Sequence, residues 1–173
     1  GRSDKLVRCP ITTYVSLAAK SRRLDFKTVI ENNAKDHRLR VRFPTRIVSR
    51  HVYAEGQFEV VKRDIELPEA SGWVEKPVAE NPHQTFVSVS DEKYGLSVVN
   101  RGLSEYAAEK TEDGVTLSLT LLRSVGWIGR EHFVTASYKI ATPDAQCLGT
   151  GEFEYSLYPY NGDWEKSKAW QVA

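Results

Sequence analysis

The sequence predicts an all-β fold, an antiparallel β-sandwich, and three observations carry that expectation. Apolar residues recur with period two along most of the chain, the mark of strands that bury one face. Clusters of Gly, Pro, Asn and Asp punctuate these runs at short intervals. Helical periodicity is nearly missing, and Ser104 to Lys110 is the one stretch that suits a turn or two of helix.

Taken in order, Ile11 to Leu17 places apolar residues at most odd positions. Leu24, Phe26, Thr28 and Ile30 then alternate with Asp25, Lys27 and Val29, and Leu39, Val41 and Phe43 alternate with Arg38, Arg40 and Arg42. Phe58 to Val61, Thr85 to Val89 and Leu96 to Val99 are shorter candidates. The cleanest alternation is Val115, Leu117, Leu119 and Leu121 against Thr116, Ser118 and Thr120, and Phe153, Tyr155 and Leu157 form the last run. β-Branched and aromatic residues fill these segments, as pleated, half-buried surfaces favour. Turns are expected at Glu31-Asn32-Asn33, Phe43-Pro44-Thr45, Glu55-Gly56, Ser71-Gly72, Asn81-Pro82, Tyr94-Gly95, Glu112-Asp113-Gly114 and Asn161-Gly162-Asp163. Pro68 to Pro82 reads as a long loop carrying Trp73, and Gly126 to Ala141 as an irregular stretch with Trp127, His132, Phe133 and Tyr138. Strands this short, this evenly punctuated, favour a sandwich or barrel.

A chain of 173 residues is long enough for one domain with a real core. Lys+Arg 24 against Asp+Glu 23 leaves almost no net charge, which argues against a dedicated nucleic-acid binder. Two distant cysteines, Cys9 and Cys147, read as buried thiols, and with no long apolar run they suggest a reducing, cytoplasmic setting away from the membrane. Without Met, and opening Gly-Arg-Ser-Asp-Lys, the sequence reads as a fragment of a larger protein.

Sites of chemistry are sparse. His37, His51, His83 and His132 are scattered, with no metal-ligand spacing among them and no paired cysteines. There is no nucleophile elbow and no glycine-rich phosphate loop. The 23 acids offer too many carboxylate pairs for any one to be chosen. No residue of the chain is therefore assigned a catalytic role. Arg38, Arg40 and Arg42 share one face of a strand and are expected to pair with acids across the sheet rather than with phosphates. Arg101, at a strand end beside Gly102, is placed to reach a neighbour or a ligand hydroxyl, with Asn100 as a companion. Trp73, Trp127, Tyr158, Tyr160 and Trp164 leave open a second reading, a stand-alone carbohydrate-binding module that stacks sugars on exposed rings.

Longer strings carry a resemblance. Ile30 to Thr45 (IENNAKDHRLRVRFPT), Leu96 to Tyr106 (LSVVNRGLSEY), Leu119 to Trp127 (LTLLRSVGW), Thr142 to Gly149 (TPDAQCLG) and Glu152 to Pro159 (EFEYSLYP) resemble, in order and spacing, the C-terminal β-region of glycoside hydrolase family 38, the α-mannosidases of bacterial and archaeal type. The resemblance implies a single C-terminal domain over residues 1–173, a supersandwich or galactose-mutarotase-like layer. It further implies that the catalytic β/α barrel and the helical bundle of a retaining α-mannosidase lie outside this chain. The nucleophile, the acid/base residue and a divalent metal, zinc, belong to that barrel, so no metal ligand is carried over. What remains for this chain is docking on its own N-terminal catalytic and helical domains, completion of a cleft for mannose-containing carbohydrate, and Arg101 with Asn100 as substrate-facing residues. The resemblance also allows a homo-oligomeric parent. Docking requires an apolar face or edge that stands exposed in the chain alone.

Overall fold

In a computed structural model, residues 4–128 and 140–172 are described. Thirteen strands form among them: β1 (Ile11–Ser16), β2 (Leu24–Asn32), β3 (Arg38–Pro44), β4 (His51–Glu55), β5 (Val60–Asp64), β6 (Glu80–Pro82), β7 (Phe86–Ser90), β8 (Tyr94–Asn100), β9 (Glu105–Thr111), β10 (Gly114–Arg123), β11 (Trp127–Ile128), β12 (Ile140–Ala141) and β13 (Gly149–Asn161). Their pairings are antiparallel.

The strands form a seven-stranded sheet, β1-β2-β13-β8-β7-β4-β5, and a four-stranded sheet, β3-β10-β9-β6, while β11 and β12 pair separately. The period-two pattern decides which residues lie between the two main sheets. From the larger sheet come Val52, Ala54, Val87, Val89, Val98 and Tyr155, and from the smaller Tyr106, Ala108, Val115, Leu117, Leu119 and Leu121. Leu39, Val41, Phe43, Phe26 and Phe153 pack against this core from its margins. Each fully buried Leu or Val contributes about 1.5–3 kcal/mol relative to exposure, so this layer dominates stability. Phe26 stacks on Tyr155 at a centroid distance of 5.3 Å, tying β2 to β13. In β10 the register shifts between Thr120 and Leu122, a bulge that bends the strand at its far end.

The outer face of the small sheet is polar. Arg38 meets Glu80 at 2.7 Å and Glu105 at 3.5 Å, Arg40 meets Glu80 at 3.2 Å, and Arg42 meets Glu109 at 3.4 Å. These are the acid partners the sequence suggests for the arginines, reached across β10 rather than on the adjacent strand. Partial burial works to raise the Glu80 pKa, but its own backbone N–H with Arg38 and Arg40 outweighs that and holds it below the usual carboxylate value.

Several expectations are corrected. Of Ser104 to Lys110, all but Ser104 lies in β9 rather than a helix: Tyr106, Ala107 and Ala108 are all buried between β10 and β6, and ladder pairing overrides helix propensity. Asn81 and Pro82, expected to turn, end β6, the short strand that closes this sheet's edge. Tyr94-Gly95 lies within β8, where Gly95 pairs with Ser90 and Tyr160 and its missing Cβ leaves room for the Tyr160 ring. Phe58 projects into solvent from the β4–β5 hairpin, and β4, which the pattern reading leaves out, pairs with both β5 and β7. Neither cysteine is buried: Cys147 is exposed and Cys9 half-buried. His132, Phe133 and Tyr138 lie outside the described residues.

Candidate functional site

Arg101 stands at the end of β8, where Asn100 and Gly102 shape the chain. The Asn100 side chain is buried and spent on the backbone: its amide donates to the Gln84 and Thr85 carbonyls at 3.1 and 3.2 Å, and its Oδ1 accepts the Leu103 N–H at 2.7 Å. Gly102 takes φ +75°, a conformation glycine adopts at little cost. His83 closes the back of this turn. Its Nε2 lies 2.7 Å from the Leu103 carbonyl and so carries the proton, and its ring packs 5.1 Å from that of Tyr106. Burial pushes the His83 imidazole below its ordinary pKa, against the opposing pull of the Leu103 carbonyl.

The result is a turn held rigidly from inside that throws Arg101 outward. The Arg101 side chain is 85% exposed, and its Nη1 donates to Glu154 Oε2 on β13 at 3.1 Å. Its backbone N–H donates to the Glu154 carbonyl at 3.1 Å, so both ends of the residue are tied to one point on β13.

Arg101 and Glu154 form one wall of a cleft of about 500 Å³ on the outer face of the large sheet. Tyr14 and Ser16 of β1 form the opposite wall, and Asp25, Lys27 and Ser156 line the space between them. The β2–β13 register sets Asp25 beside Ser156, whose hydroxyl donates to Asp25 Oδ1 at 2.6 Å, and Arg23 donates to the same oxygen at 2.8 Å. Lys27 donates to Glu152 at 2.7 Å, a hydrogen bond that raises the lysine pKa. These groups present fixed donors and acceptors on a half-open surface, which suits hydroxyl-rich ligands or a polar protein face. Among the described residues no cluster of three or more His, Cys, Asp or Glu is placed to hold a metal ion.

Beside the cleft, part of this outer face is covered. Trp164, Ala169 and Val172, beyond β13, pack on Tyr158 and Tyr160, and Trp164 also approaches Tyr53 and Phe86 at 5.5 and 6.3 Å. Arg23 reaches the Val172 carbonyl at 3.0 Å, so this cover borders the cleft.

At one end of the sandwich the resembling strings converge. Asn32 donates to the Gln146 and Cys147 carbonyls at 3.1 and 2.9 Å, and Ser124 donates to the Gln146 carbonyl at 2.9 Å. Gln146 donates from Nε2 to Asp36 Oδ1 at 2.7 Å and accepts the Asp36 N–H at 2.8 Å, and Asp36 Oδ1 also takes the Gly126 N–H at 3.1 Å. Asn32, Ser124 and Gln146 are all buried, so the bonds of Asn32 and Ser124 to the Gln146 carbonyl form where water does not compete, while those of Asp36 lie nearer the surface. No spacing rule points to this junction, because its members lie up to 115 residues apart.

Sequence reasoning singled out Arg101 and Asn100, and the structure turns the two in opposite directions. Arg23, Asp25, Lys27 and Glu154 were missed as a group. Their signal is the polar phase of two alternating strands, legible only once β2 is known to pair with β13.

Of the aromatic residues, Trp73 and Trp127 are exposed and Trp164 is half-buried. Among the described residues, neither Trp73 nor Trp127 lies against another ring.

Comparison with known proteins adds the following. The family model described as "Glycosyl hydrolases family 38 C-terminal domain" matches residues 4–146. A protein of Halalkalibacterium halodurans named "Putative mannosylglycerate hydrolase" is 34% identical over 163 residues, 94% of this chain and 17% of its own length. A Saccharomyces cerevisiae "Alpha-mannosidase" is 28% identical over 163 residues, covering 90% of this chain and 13% of that protein. The crystal structure of an alpha-mannosidase from Enterococcus faecalis V583 superposes with a TM-score of 0.83 at 38% identity, over 99% of this chain and 18% of that one. The chain thus spans under a fifth of the length of the relatives it matches.

Proposed function

The chain belongs to glycosyl hydrolase family 38, as its C-terminal β domain, and from that membership we propose that it completes the sugar cleft of a retaining α-mannosidase whose chemistry lies in the rest of the parent protein. The relatives' names favour an α-mannosyl substrate, and the families of strings quoted above span nearly the whole chain, which supports treating residues 1–173 as one docking unit. The proposed reaction is a double displacement through a covalent glycosyl-enzyme, with nucleophile, acid/base residue and zinc supplied by the catalytic barrel and not by this chain. A role in the cytoplasm and assembly of the parent into homo-oligomers belong to the same reading.

The observation that carries the proposal is Arg101: exposed, aimed by a buried turn, and paired with Glu154 on the wall of the cleft between β1 and β8. We assign it a hydrogen bond to a substrate hydroxyl, and to Asn100 the holding of the turn that aims it.

The test is hydrolysis of an aryl α-mannoside and of mannosylglycerate by the parent protein, by this chain, and by the parent with Arg101→Ala. The parent turns over, this chain alone does not, and R101A lowers kcat/KM about tenfold, the loss expected for one charged hydrogen bond. Turnover by the chain alone, or an R101A parent indistinguishable from wild type, would sink the assignment. Exposed Trp73 and Trp127 keep a sugar-binding role without catalysis as the second reading. Calorimetric titration of this chain with mannose oligosaccharides, with and without Trp127→Ala, decides it.

A further inference from the structure

Two sheets have four edges, and among the described residues three of them are guarded against further pairing. β5 carries Lys62, Arg63 and Asp64 in succession. β3 carries Arg38, Arg40 and Arg42 and ends in Pro44. β6 is three residues long and ends in Pro82. Charge, proline and brevity are the devices by which proteins keep a sheet edge from recruiting another strand.

β1 has none of these. Its sequence is Ile-Thr-Thr-Tyr-Val-Ser, without charge, proline or bulge, and its register with β2 runs unbroken from Ile11↔Ile30 to Ser16↔Asp25. Every one of its six residues is exposed, so neither face is covered, and Ile11, Tyr14 and Val15 are 50%, 62% and 56% accessible. The Glu31 N–H donates to the Pro10 carbonyl at 2.9 Å, which fixes the phase of the ladder. Alternation then assigns the backbone groups of Thr12, Tyr14 and Ser16 to β2, and leaves those of Ile11, Thr13 and Val15 facing outward.

We propose that the outer edge of β1 takes up an antiparallel strand from the part of the parent polypeptide outside this sequence, extending the large sheet by main-chain hydrogen bonds to Ile11, Thr13 and Val15. The incoming strand carries apolar residues in phase with Ile11 and Val15 and polar residues in phase with Tyr14, whose side continues the cleft wall. The rest of the parent is preferred over a second copy because the matched relatives hold more than four-fifths of their length outside the aligned segment. This inference rests on the docking role proposed above, and supplies it with a contact.

Hydrogen exchange of the intact parent and of this chain, read amide by amide across Ile11–Ser16, tests it. The expected pattern is six protected amides in the parent and only Thr12, Tyr14 and Ser16 in this chain, so that the chain takes up three more deuterons. Val15→Pro removes an outward N–H but no bond to β2, and restores exchange at Ile11 and Thr13 in the parent while leaving this chain's pattern unchanged. Tyr14→Pro, the control, breaks the β2 ladder in both. Fast exchange at Ile11, Thr13 and Val15 in the parent overturns the proposal. So does protection of them in this chain, whether it grows with concentration (a second copy) or not. Hydrolysis of α-mannoside by the parent is read separately, and activity with an unprotected edge would refute the strand while leaving the docking domain intact.

Discussion

At the scale of single residues, Asn100 and His83 show how a buried polar pair fixes an exposed cation. Asn100→Ala leaves the Gln84 and Thr85 carbonyls and the Leu103 N–H without their partner in a site closed to water. We expect a loss of about 2–4 kcal/mol, seen as a lower urea midpoint. A loss below about 0.5 kcal/mol, the range of ordinary surface substitutions, would mean the turn does not depend on Asn100. His83 has a pH signature. Its folded pKa lies below the ordinary histidine value of 6.5, so the unfolded chain binds a proton that the folded chain refuses. Stability contributed by neutral His83 is complete above that value and declines as pH falls below it. His83→Gln flattens this part of the stability–pH curve; an unaltered slope in the variant would assign the acid sensitivity to other groups. Cys147 makes a simpler case. Exposed and held at φ +48°, it is expected to react with a maleimide in the folded protein, and faster than half-buried Cys9.

At the scale of elements, the junction of the Asn32–Asp36, Ser124–Gly126 and Gln146–Cys147 segments holds three loops that no strand ladder joins. Asp36 and Gln146 exchange two hydrogen bonds, from side chain to side chain and from side chain to backbone. Asp36→Ala and Gln146→Ala are therefore expected to be non-additive, with a coupling of about 1 kcal/mol or more in a double-mutant cycle of urea unfolding. Additive effects would show that the Asp36–Gln146 contact does not couple the loops, leaving them to the bonds of Asn32 and Ser124. β9 teaches a related point from the other side. Its Glu-Tyr-Ala-Ala-Glu-Lys sequence has helical propensity, but a strand here buries Tyr106 and Ala108 in the core and sets Glu105 and Glu109 against the arginines of β3. Tertiary burial outweighs a propensity difference of some tenths of a kcal/mol per residue.

At the scale of the whole molecule, the chain is a sandwich whose larger sheet outruns the smaller. Its outer face is half covered by the segment carrying Trp164 and Ala169, and half open as the Arg101 cleft. An exposed apolar edge of the kind a docking domain requires is present at β1. Because Val15 touches solvent rather than core, Val15→Glu is expected to change the stability of this chain by no more than about 0.5 kcal/mol. In the parent the same substitution is expected to weaken stability measurably. A large loss in the chain alone would show that β1 packs more tightly than its exposure implies.

The alternation of apolar and polar residues determined the all-β class, the positions of most strands and which side chains enter the core, because burying one face of a strand leaves a period-two record in its own sequence. The strings from Ile30 to Pro159 determined the family. Arg101 was legible as an exposed residue at a strand end beside a glycine. What only the tertiary structure decided is which strands are neighbours: that β2 lies beside β13, so that Asp25 meets Ser156 and Lys27 meets Glu152, and that β8 on the other side of β13 sets Arg101 on Glu154. It also decided that, among the described residues, no strand pairs with the outer edge of β1. Strand pairing at separations above a hundred residues is fixed by the summed fit of two sheets around one core, and no local run of the chain carries a record of that sum.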